Sequence, residues 1–411
     1  MRKLLFSTTI AVLAVSSNLP AQEQGPFPYK LQKTKPDRQM SLAMERIYTD
    51  YPAPEPEDNE LFSQFKYTEL KGFDYNGGDG TISRRDPSKI LFANDKYYVW
   101  YTCRRTAPPP RGAANSTDVI PSADWDLAEI WYATSNDGFT WEEQGVAIKR
   151  PAKPLVGWRS VTTTDILHWK GKYYLYYQGF LEASGTRGDD CPVALSYADS
   201  PDGPWTPYNQ IVIPNGPEGA WDQYSIHDPY PLVRDGKIYL YYKSDFGRNP
   251  NPVRMQGLAI ADNPLGPFEK HPLNPVITSG HETSLFPFKG GIAALVYKDG
   301  PEHNTIQYSE DGVNFSIASI TELMPYAAAP FVPDAFTNTK NGRGITWGLA
   351  HFINQGGKDQ YHSILVRFDC DLSLDLDDPE MKKHRVNHRP DVYYRQGLNK
   401  KQLKRIKATR P

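Results

Sequence analysis

The stretch RRDPSKILFANDKYYVWYT (residues 84–102) sets an acid, Asp86, ahead of a short strand, a tight turn and an aromatic-rich second strand. This order recurs four more times, about 50 to 80 residues apart. Tyr, Trp and Val at this density suit a pleated, half-buried surface, so each repeat predicts a pair of antiparallel strands. The recurring acids are Asp86 in RRDPSKILF, Asp165 in TTTDILHW, Asp228 in HDPYPLV, Glu282 in HETSLFPF and Asp334 in VPDAFTN.

Each repeat continues into a third strand and an Asp/Gly turn, as in IWYATSNDGFTW and TIQYSEDGVNF. A loose repeat of about 50 residues with three to four strands and no helical pattern is typical of a β-propeller blade. The five repeats predict an all-β fold, a five-bladed β-propeller over residues 61–380. The innermost strand of each blade lines the central channel, so we expect the five acids to form one ring. Such a ring of like charges persists mainly where ligands or chemistry use it.

The composition is that of a globular protein and not of a charged scaffold. The 411 residues are 39% hydrophobic and carry a formal net charge of -2, so nothing in the balance points to nucleic acid. Aromatic residues make up 13%, and Tyr and Trp suit both a propeller core and platforms for sugar rings. With only Cys103, Cys191 and Cys370 there is no disulfide framework, and we expect buried free thiols rather than one bridge.

The two ends of the chain carry signals of their own. Arg2 and Lys3 precede an apolar run too short for a membrane span, which predicts a signal peptide over residues 1–21 and an exported, periplasmic or secreted protein. Residues 22–60 include a helical pattern at roughly 37–51, and an amphipathic helix outside a propeller must pack either on the propeller's own rim or on a second subunit. Residues 381–411 form a basic tail, which we expect to be a solvated, subunit-facing helix and not a nucleic-acid contact.

Acids in one channel supply the chemistry that hydrolysis of a glycosidic bond needs. One group protonates the leaving oxygen and another activates water or attacks carbon, and paired carboxylic residues are the common solution. Asp86 follows Arg84 and Arg85, which are expected to lower its pKa and keep it ionised, as a general base needs.

Two His-acid dipeptides, His227-Asp228 and His281-Glu282, set an imidazole beside a carboxylate. Adjacent strand residues point to opposite faces, so both groups reach one site only where the chain bends. Trp125 lies in a loop rich in Ala, Ser and Pro that can fold over the channel. Acids and histidines around the axis leave room for a divalent cation, but no ligand spacing specifies one and no cofactor is required.

At these motifs the sequence resembles glycoside hydrolase family 117. The resemblance rests on RRDPS around Asp86, HDPY around Asp228, HET around Glu282 and a helical S-x-A-x-x-R segment that begins at Ser41. It extends from about Asp37 to the C-terminus. The S-x-A-x-x-R segment makes it specific, because acidic propeller motifs alone also fit arabinanase and xylosidase families of the same architecture.

The resemblance implies an exo-acting α-1,3-(3,6-anhydro-L-galactosidase), also called neoagarobiose hydrolase. Such an enzyme releases 3,6-anhydro-L-galactose from the non-reducing end of agar-derived oligosaccharides with inversion. The resemblance also implies a homodimer that exchanges N-terminal helical segments. Implied roles are general base for Asp86, unusual general acid for His281, and sugar-binding and catalytic-site acids for Asp228 and Glu282. The expected substrate-binding residues beside them are Arg85, Trp125, Asp165, His227 and Asp334.

Two other functions stay open at this stage. One is another exo-acting propeller glycosidase, of the arabinofuranosidase or xylosidase type, in which Glu282 is the acid and His281 a bystander. The other is a sugar-binding propeller without turnover, in which the acids hold a cation or hydroxyl groups. Chromogenic arabinosides test the first, and binding without product release would identify the second.

Overall fold

The computed structural model describes residues 24–49, 59–185, 191–245, 254–321, 323–355 and 361–383. The expected signal peptide, residues 1–21, lies outside the described residues, as does the basic tail from residue 384 onward. Both therefore stay predictions. Within the described part of the chain, no helix has the length and apolar character needed to cross a membrane.

The described residues are almost entirely β-structure. The N-terminal part contains helix α1 (Leu42–Arg46) and strand β1 (Lys66–Glu69). The first sheet follows with β2 (Ile82–Arg85), β3 (Leu91–Ala93), β4 (Lys96–Arg105), β5 (Glu129–Ser135) and β6 (Glu142–Ile148). The second has β7 (Ser160–Trp169), β8 (Lys172–Phe180), β9 (Val193–Ala198) and β10 (Thr206–Pro207). The third has β11 (His227–Arg234), β12 (Lys237–Asp245), β13 (Arg254–Ala261) and β14 (Glu269–Lys270).

The last sheet is the largest and ends with a short helix. It contains β15 (Ser284–Lys289), β16 (Gly291–Val296), β17 (Thr305–Ser309), β18 (Ser316–Ile320), β19 (Ala329–Pro330), β20 (Gly342–Gln355) and β21 (His362–Ser373), together with β1. Helix α2 (Pro379–Lys382) follows. A pairing of only two residues between β15 and β20 joins the β15–β18 half to the half made of β1 and β19–β21.

The all-β prediction and the repeated strands are confirmed. The five predicted second strands are β4, β8, β12, β16 and β20, and each pairs antiparallel with the strand before it and with the predicted third strand. We call β2–β3, β7, β11, β15 and β19 the inner strands. The structure forms four sheets, where five separate blades were expected.

Contacts between neighbouring strands lead around the molecule and back to the start. Strand β4 packs against β7, β8 against β11, β11 against β15, and β2 against β21. The N-terminal β1 pairs with the C-terminal β21 from Lys66 opposite Asp369 to Glu69 opposite Val366. Phe336 packs against three of the four hydrophobic clusters, so it lies where the sheets converge. All three cysteines are buried thiols, as expected.

The predicted segment boundaries at 60/61 and 380/381 lie close together in space. Lys382 Nζ donates to the carbonyls of Glu60, Phe62 and Asp371 at 2.7–3.0 Å. The start of the C-terminal tail is therefore tied to the start of the strand-forming region.

The N-terminal helix is shorter than the pattern predicts. Within residues 37–49 only Leu42–Arg46 are helical, because Ser41 caps the first turn by accepting a hydrogen bond from Met44 N. The S-x-A-x-x-R residues dock this helix on the same chain. Ser41 Oγ donates to Pro275 O at 2.6 Å, and Ala43 is fully buried. Arg46 binds both carboxylate oxygens of buried Glu302, at 2.8 and 3.0 Å.

We expect Arg46→Met to lower the free energy of unfolding by about 3 kcal/mol, since it leaves the Glu302 carboxylate buried without its main cation. Lys35→Met is the matched control, because Lys35 pairs with Glu45 of the same helix at an exposed site and should cost less than about 1 kcal/mol. Urea unfolding curves measure both. Equal losses in the two variants would show that Arg46 does not hold the helix in place.

Candidate active site

The inner strands are kinked at one common level, and all the kinks face one pocket. At each kink a residue other than glycine has a left-handed backbone. That conformation is uncommon outside glycine, and for a β-branched residue the surrounding structure has to enforce it. These kink residues are Asp86 (φ 48°), Thr163 (φ 42°), Asp228 (φ 51°), Glu282 (φ 54°) and Ala327 (φ 48°), and all of them line the pocket.

Three of the kinks interrupt the ladder between an inner strand and its second strand, and those at Glu282 and Ala327 lie just before β15 and β19. In β7 regular pairing stops after Thr162 and resumes at Asp165, and in β11 it stops after His227 and resumes at Tyr230. A residue inside such an irregularity leaves the strict alternation of the pleat. The bend that the His-acid dipeptides require is therefore present.

Only three of the five recurring acids occupy the kink position. The first, third and fourth acids do, whereas Thr163 and Ala327 hold the matching positions in the other two strands. The expected ring of five carboxylates is therefore wrong. The motifs were aligned on their acids, but the feature that repeats in space is the kink, which Asp165 follows by two residues and Asp334 by seven.

Asp165 lines the pocket, but its carboxylate is already engaged. Its Oδ1 accepts the backbone N–H of Lys89 at 2.8 Å, and its Oδ2 pairs with the Lys89 ammonium. The ammonium also lies 3.6 Å from the centre of the Tyr230 ring. Burial lowers the pKa of Lys89 to about 8 and raises that of Asp165, and each charge opposes the shift of the other. This pair ties the first sheet to the second beneath the pocket.

Asp334 does not reach the pocket. It is partly exposed in the turn after β19, where its Oδ2 accepts the backbone N–H of Arg343 at 2.8 Å. The expected place of Asp334 on the channel wall is therefore wrong.

Asp86 is buried at the pocket wall with one cation beside it. Its Oδ2 accepts from Arg85 Nε at 2.8 Å and from Thr163 Oγ1 at 3.3 Å. Its backbone N–H donates to His351 Nδ1 at 3.1 Å. Burial raises the pKa of Asp86 to about 6, with Arg85 opposing the shift and the negative charge of Glu282 adding to it.

The sequence-based expectation for this pKa is wrong in two respects. Arg84 points away from the pocket and donates to Glu143 at 2.8 and 3.0 Å and to Asp74 O at 2.6 Å. Arg85 does contact the carboxylate, but its charge does not outweigh the burial of Asp86. Asp86 therefore changes protonation in the mildly acidic range.

Arg85 lies between two acids of the pocket. Besides Asp86, its guanidinium approaches Glu282 Oε1 at 3.8 Å and Asp124 Oδ2 at 3.7 Å. Its Cζ lies 4.8 Å from the centre of the partly exposed Trp125 ring. A single cation therefore links Asp86 and Glu282 across two sheets, and the 107–124 loop brings Trp125 over this cation, as the loop position suggested.

His281 stands between two carboxylates. Its Nε2 lies 3.0 Å from Glu282 Oε1, and its Nδ1 lies 2.8 Å from Asp299 Oδ2. Both contacts are hydrogen bonds when both ring nitrogens carry protons. Arg254 Nη1 shares the Asp299 oxygen at 2.5 Å. Burial alone would raise the pKa of Asp299, but the contacts to His281 and Arg254 hold that pKa below its usual value.

The side chain of Glu282 is almost fully buried, like that of Asp86, but the charges around it differ. Burial alone would raise its pKa. The charges of His281, Lys243 and Arg85 outweigh burial and hold that pKa well below the usual value. Glu282 is therefore ionised wherever the fold persists near neutral pH, and it has no proton to donate.

Asp228 also has a cation of its own. Its Oδ2 pairs with the ammonium of Lys243, and both side chains are buried. His227, one residue earlier, is buried with its ring centre 6.3 Å from that of Phe180. His227 is not among the residues that line the pocket. Arg85, Trp125 and His281 are not among these residues either, so the expected contact of His227 with substrate stays a prediction.

Sequence reasoning missed five residues of this site: Lys89, Lys243, Asp299, Tyr326 and His351. A signal existed for two of them, since Lys243 and His351 are the polar residues that end the aromatic second strands KIYLYYK and ITWGLAH. Tyr326 touches the rings of His281 and His351, with centres 5.9 and 4.5 Å away. Nothing in its surroundings PYAAAPF marked it.

The described residues contain no group of three or more His, Cys, Asp or Glu arranged to hold a metal ion. Whether a divalent cation enters the pocket stays open.

Comparison with known proteins comes from solved structures. No family model and no curated protein matches the chain. A family 117 glycoside hydrolase produced by the marine bacterium Zobellia galactanivorans is 64% identical to this chain, with a TM-score of 0.77 over 83% of this chain and 100% of that one.

More distant structures share the fold alone. The catalytic domain of a family 62 α-L-arabinofuranosidase from Coprinopsis cinerea is 10% identical, with a TM-score of 0.52 over 77% of this chain and 99% of that one. A protein described as a glycoside hydrolase is 12% identical, with a TM-score of 0.52 over 80% of this chain and 96% of its own.

The Lys89–Asp165 pair provides a stability test beneath the pocket. We expect Lys89→Met to lower the free energy of unfolding by about 3 to 5 kcal/mol, because it leaves a buried carboxylate unpaired. Lys172→Met is the matched control, since the Lys172–Asp199 pair is exposed and should contribute less than about 1 kcal/mol. Urea unfolding at pH 7 measures both losses. A Lys89 loss no larger than the Lys172 loss would contradict the assignment.

Proposed function

The chain belongs to glycoside hydrolase family 117, and from this premise we propose that it releases 3,6-anhydro-L-galactose from the non-reducing end of neoagaro-oligosaccharides. Neoagarobiose is the smallest such substrate, and the anomeric carbon is inverted. The observation that carries the mechanism is the charge pattern of the pocket. A carboxyl group that titrates near neutrality, Asp86, shares this site with a histidine held by two carboxylates, His281.

In the proposed reaction Asp86 is the general base. A carboxyl group with a pKa of about 6 is ionised at pH 7 and accepts a proton more readily than an ordinary aspartate. It takes one proton from a water molecule, whose oxygen then forms the bond to the anomeric carbon. Arg85 and Thr163 hold the carboxylate by its Oδ2, which leaves Oδ1 for the proton.

His281 is the proposed general acid. The leaving oxygen must receive a proton as the glycosidic bond breaks. Glu282 is a poor source because its pKa lies well below the usual value. His281 is held by Glu282 at Nε2 and by Asp299 at Nδ1, so a proton on Nε2 lies next to Glu282, which lines the pocket. The same charges weigh against a mechanism in which Glu282 is the acid and His281 a bystander.

Inversion requires room for water between the two working groups, which stand about 6.5 to 9.5 Å apart in such enzymes. Asp86 belongs to the first sheet and His281 precedes β15 of the last sheet, so they approach the pocket from different strands. The Arg85 guanidinium lies between Asp86 and Glu282. A cation placed between these two carboxylates favours a water-mediated displacement over direct attack by a neighbouring carboxylate.

The remaining proposals concern binding and architecture. Asp228, fixed by Lys243, offers carboxylate oxygens to sugar hydroxyl groups, and Trp125 offers a face to a sugar ring. The five kinked inner strands and the circle of strand contacts favour a five-bladed propeller, with the β15–β20 pairing fusing two blades into the eight-stranded sheet. Export to the periplasm or the medium is part of the proposal.

We also propose a homodimer that exchanges its N-terminal segments. Ser41, Ala43 and Arg46 dock α1 on a surface that a partner's helix would fit equally well. Exchange makes stability depend on protein concentration. The unfolding curves of the parent protein, taken at two concentrations, therefore test it, and a midpoint that does not move would argue against exchange.

We expect purified protein to convert neoagarobiose to galactose and 3,6-anhydro-L-galactose, with the anomeric proton signal first appearing in the inverted configuration. Proton NMR follows both. Asp86→Asn and His281→Asn should each reduce kcat by about a hundredfold or more, the usual scale of a lost acid or base.

The controls separate the other functions. Turnover of aryl α-L-arabinofuranosides but not of neoagarobiose would contradict the proposed substrate and leave the assignment as a glycoside hydrolase in place. Binding of neoagarobiose without product would contradict catalysis, and an initial product of retained configuration would contradict the assignment of Asp86 as a base.

The acidic limb of the pH profile offers a further prediction. Since Asp86 must be ionised, kcat/KM should fall about tenfold per pH unit below a pKa of about 6. Glu282→Gln removes a negative charge that raises the pKa of Asp86, so the limb should move to lower pH even as the maximal rate falls. Rate measurements between pH 4 and pH 8 decide this. A limb that stays in place would mean that Asp86 does not set it.

A further inference from the structure

His351 lies against Asp86, which lines the pocket, but has no part in the mechanism above. It lies on β20, fully buried, with its backbone N–H bonded to Tyr326 O at 3.2 Å. Its ring meets the Tyr326 ring edge to face, with centres 4.5 Å apart. It is thus fixed on a central strand beside the kink of the neighbouring sheet.

The hydrogen bond from Asp86 determines the protonation of the His351 ring. A backbone N–H can only donate, so His351 Nδ1 has to present a lone pair, and the proton of the neutral ring is on Nε2. Burial lowers the pKa of His351, and the charges of Arg85, His281 and Lys298 lower it further. Glu282 opposes them, but the net effect holds the pKa of His351 well below its usual value, which favours the neutral ring.

The same nitrogen also faces the carboxyl group of Asp86. Nδ1 lies 3.5 Å from Asp86 Oδ1, an atom that has no hydrogen-bond partner among the described residues. When Asp86 is ionised, two acceptors face each other. When Oδ1 carries a proton, it can share the Nδ1 lone pair with the backbone N–H of Asp86. A neutral histidine at this place therefore favours the protonated form of Asp86.

The kink at Thr163 shows that a side chain of the neighbouring sheet also holds the backbone N–H of another kinked residue. The left-handed Thr163 has its backbone N–H held by Thr102 Oγ1 of the preceding sheet at 2.8 Å. Thr102 ends the second strand KYYVWYT as His351 ends ITWGLAH. Holding a kinked N–H thus needs only an acceptor on the neighbouring second strand. An imidazole does this and also reaches the carboxyl oxygen.

We propose that His351 is the positioning residue of the general base: the lone pair on its Nδ1 holds the kinked backbone N–H of Asp86 and is shared with Asp86 Oδ1–H once that oxygen has taken a proton from water. The proton stays on Asp86, and the histidine remains neutral throughout. This inference rests on the proposed function in that it treats Asp86 as the general base. The effect of His351 on the protonation of Asp86 does not depend on any substrate.

The direct test is the titration of Asp86 in protein labelled with carboxyl-13C aspartate, with Asp86→Asn assigning the signal. We expect His351→Leu to lower the titration midpoint of Asp86 by roughly one pH unit, because the acceptor for the protonated form is lost. His351→Asn keeps an acceptor oxygen near the place of Nδ1 and should restore most of the shift. The other charged groups near Asp86, namely Arg85, Glu282, Asp228 and His281, are unchanged in both variants.

Kinetics supply the second readout. With neoagarobiose, His351→Leu should lower kcat on the order of tenfold to a hundredfold and leave KM within about twofold, as expected for a displaced reacting group. His351→Asn should recover most of kcat. Thermal unfolding of each variant checks that the fold persists, and Thr102→Val gives the effect of losing a backbone anchor at another kink.

Two results would overturn the inference. One is an Asp86 midpoint that does not move in folded His351→Leu protein. The other is an Asn variant that resembles the Leu variant in both titration and kcat. Lack of turnover in the parent protein combined with the expected titration shift would instead refute the substrate and leave the role of His351 intact.

Discussion

The site depends on a backbone constraint, the left-handed kink in each inner strand. A kinked residue leaves the ladder, so its N–H and its side chain both need new partners. Thr102 and His351 supply acceptors to two of the kinks from the neighbouring sheet. The kink is therefore held by contacts between sheets, and the pocket exists only when the ring of strand contacts is complete.

Charge balance is the second requirement of such a pocket. Buried carboxylates without cations would be protonated or would destabilise the fold. Asp86 has Arg85, Asp228 has Lys243 and Glu282 has His281, while Asp165 beneath them has Lys89. Each cation lies within a strand or a kink near its acid, so the assembly of the sheets also assembles the ion pairs. The negative potential expected of an acid ring is thereby largely cancelled.

Much of the fold could be predicted from the sequence because strands rich in aromatic and β-branched residues repeat with polar turns between them. The second and third strands were placed correctly in all five repeats for this reason. The recurring acids gave the wrong pocket residue in two repeats, since Thr163 and Ala327 occupy the kinks there. Backbone conformation of this kind has no fixed residue type, and Asp299 and His351 are distant in the chain from His281 and Asp86, the residues they contact. Only the arrangement in space reveals them.

The contrast between Asp86 and Glu282 explains why similar burial yields different chemistry. Both side chains are almost fully enclosed, and both lie near Arg85. Glu282 gains further positive charge from His281 and Lys243, whereas Asp86 faces a neutral imidazole and the charge of Glu282 itself. The same field that keeps Glu282 ionised therefore makes Asp86 easier to protonate. Two carboxyl groups whose pKa values are pushed apart in this way can take different roles at one pH. In the proposed mechanism Glu282 acts as a fixed charge for His281, and Asp86 is the carboxylate that accepts a proton from water.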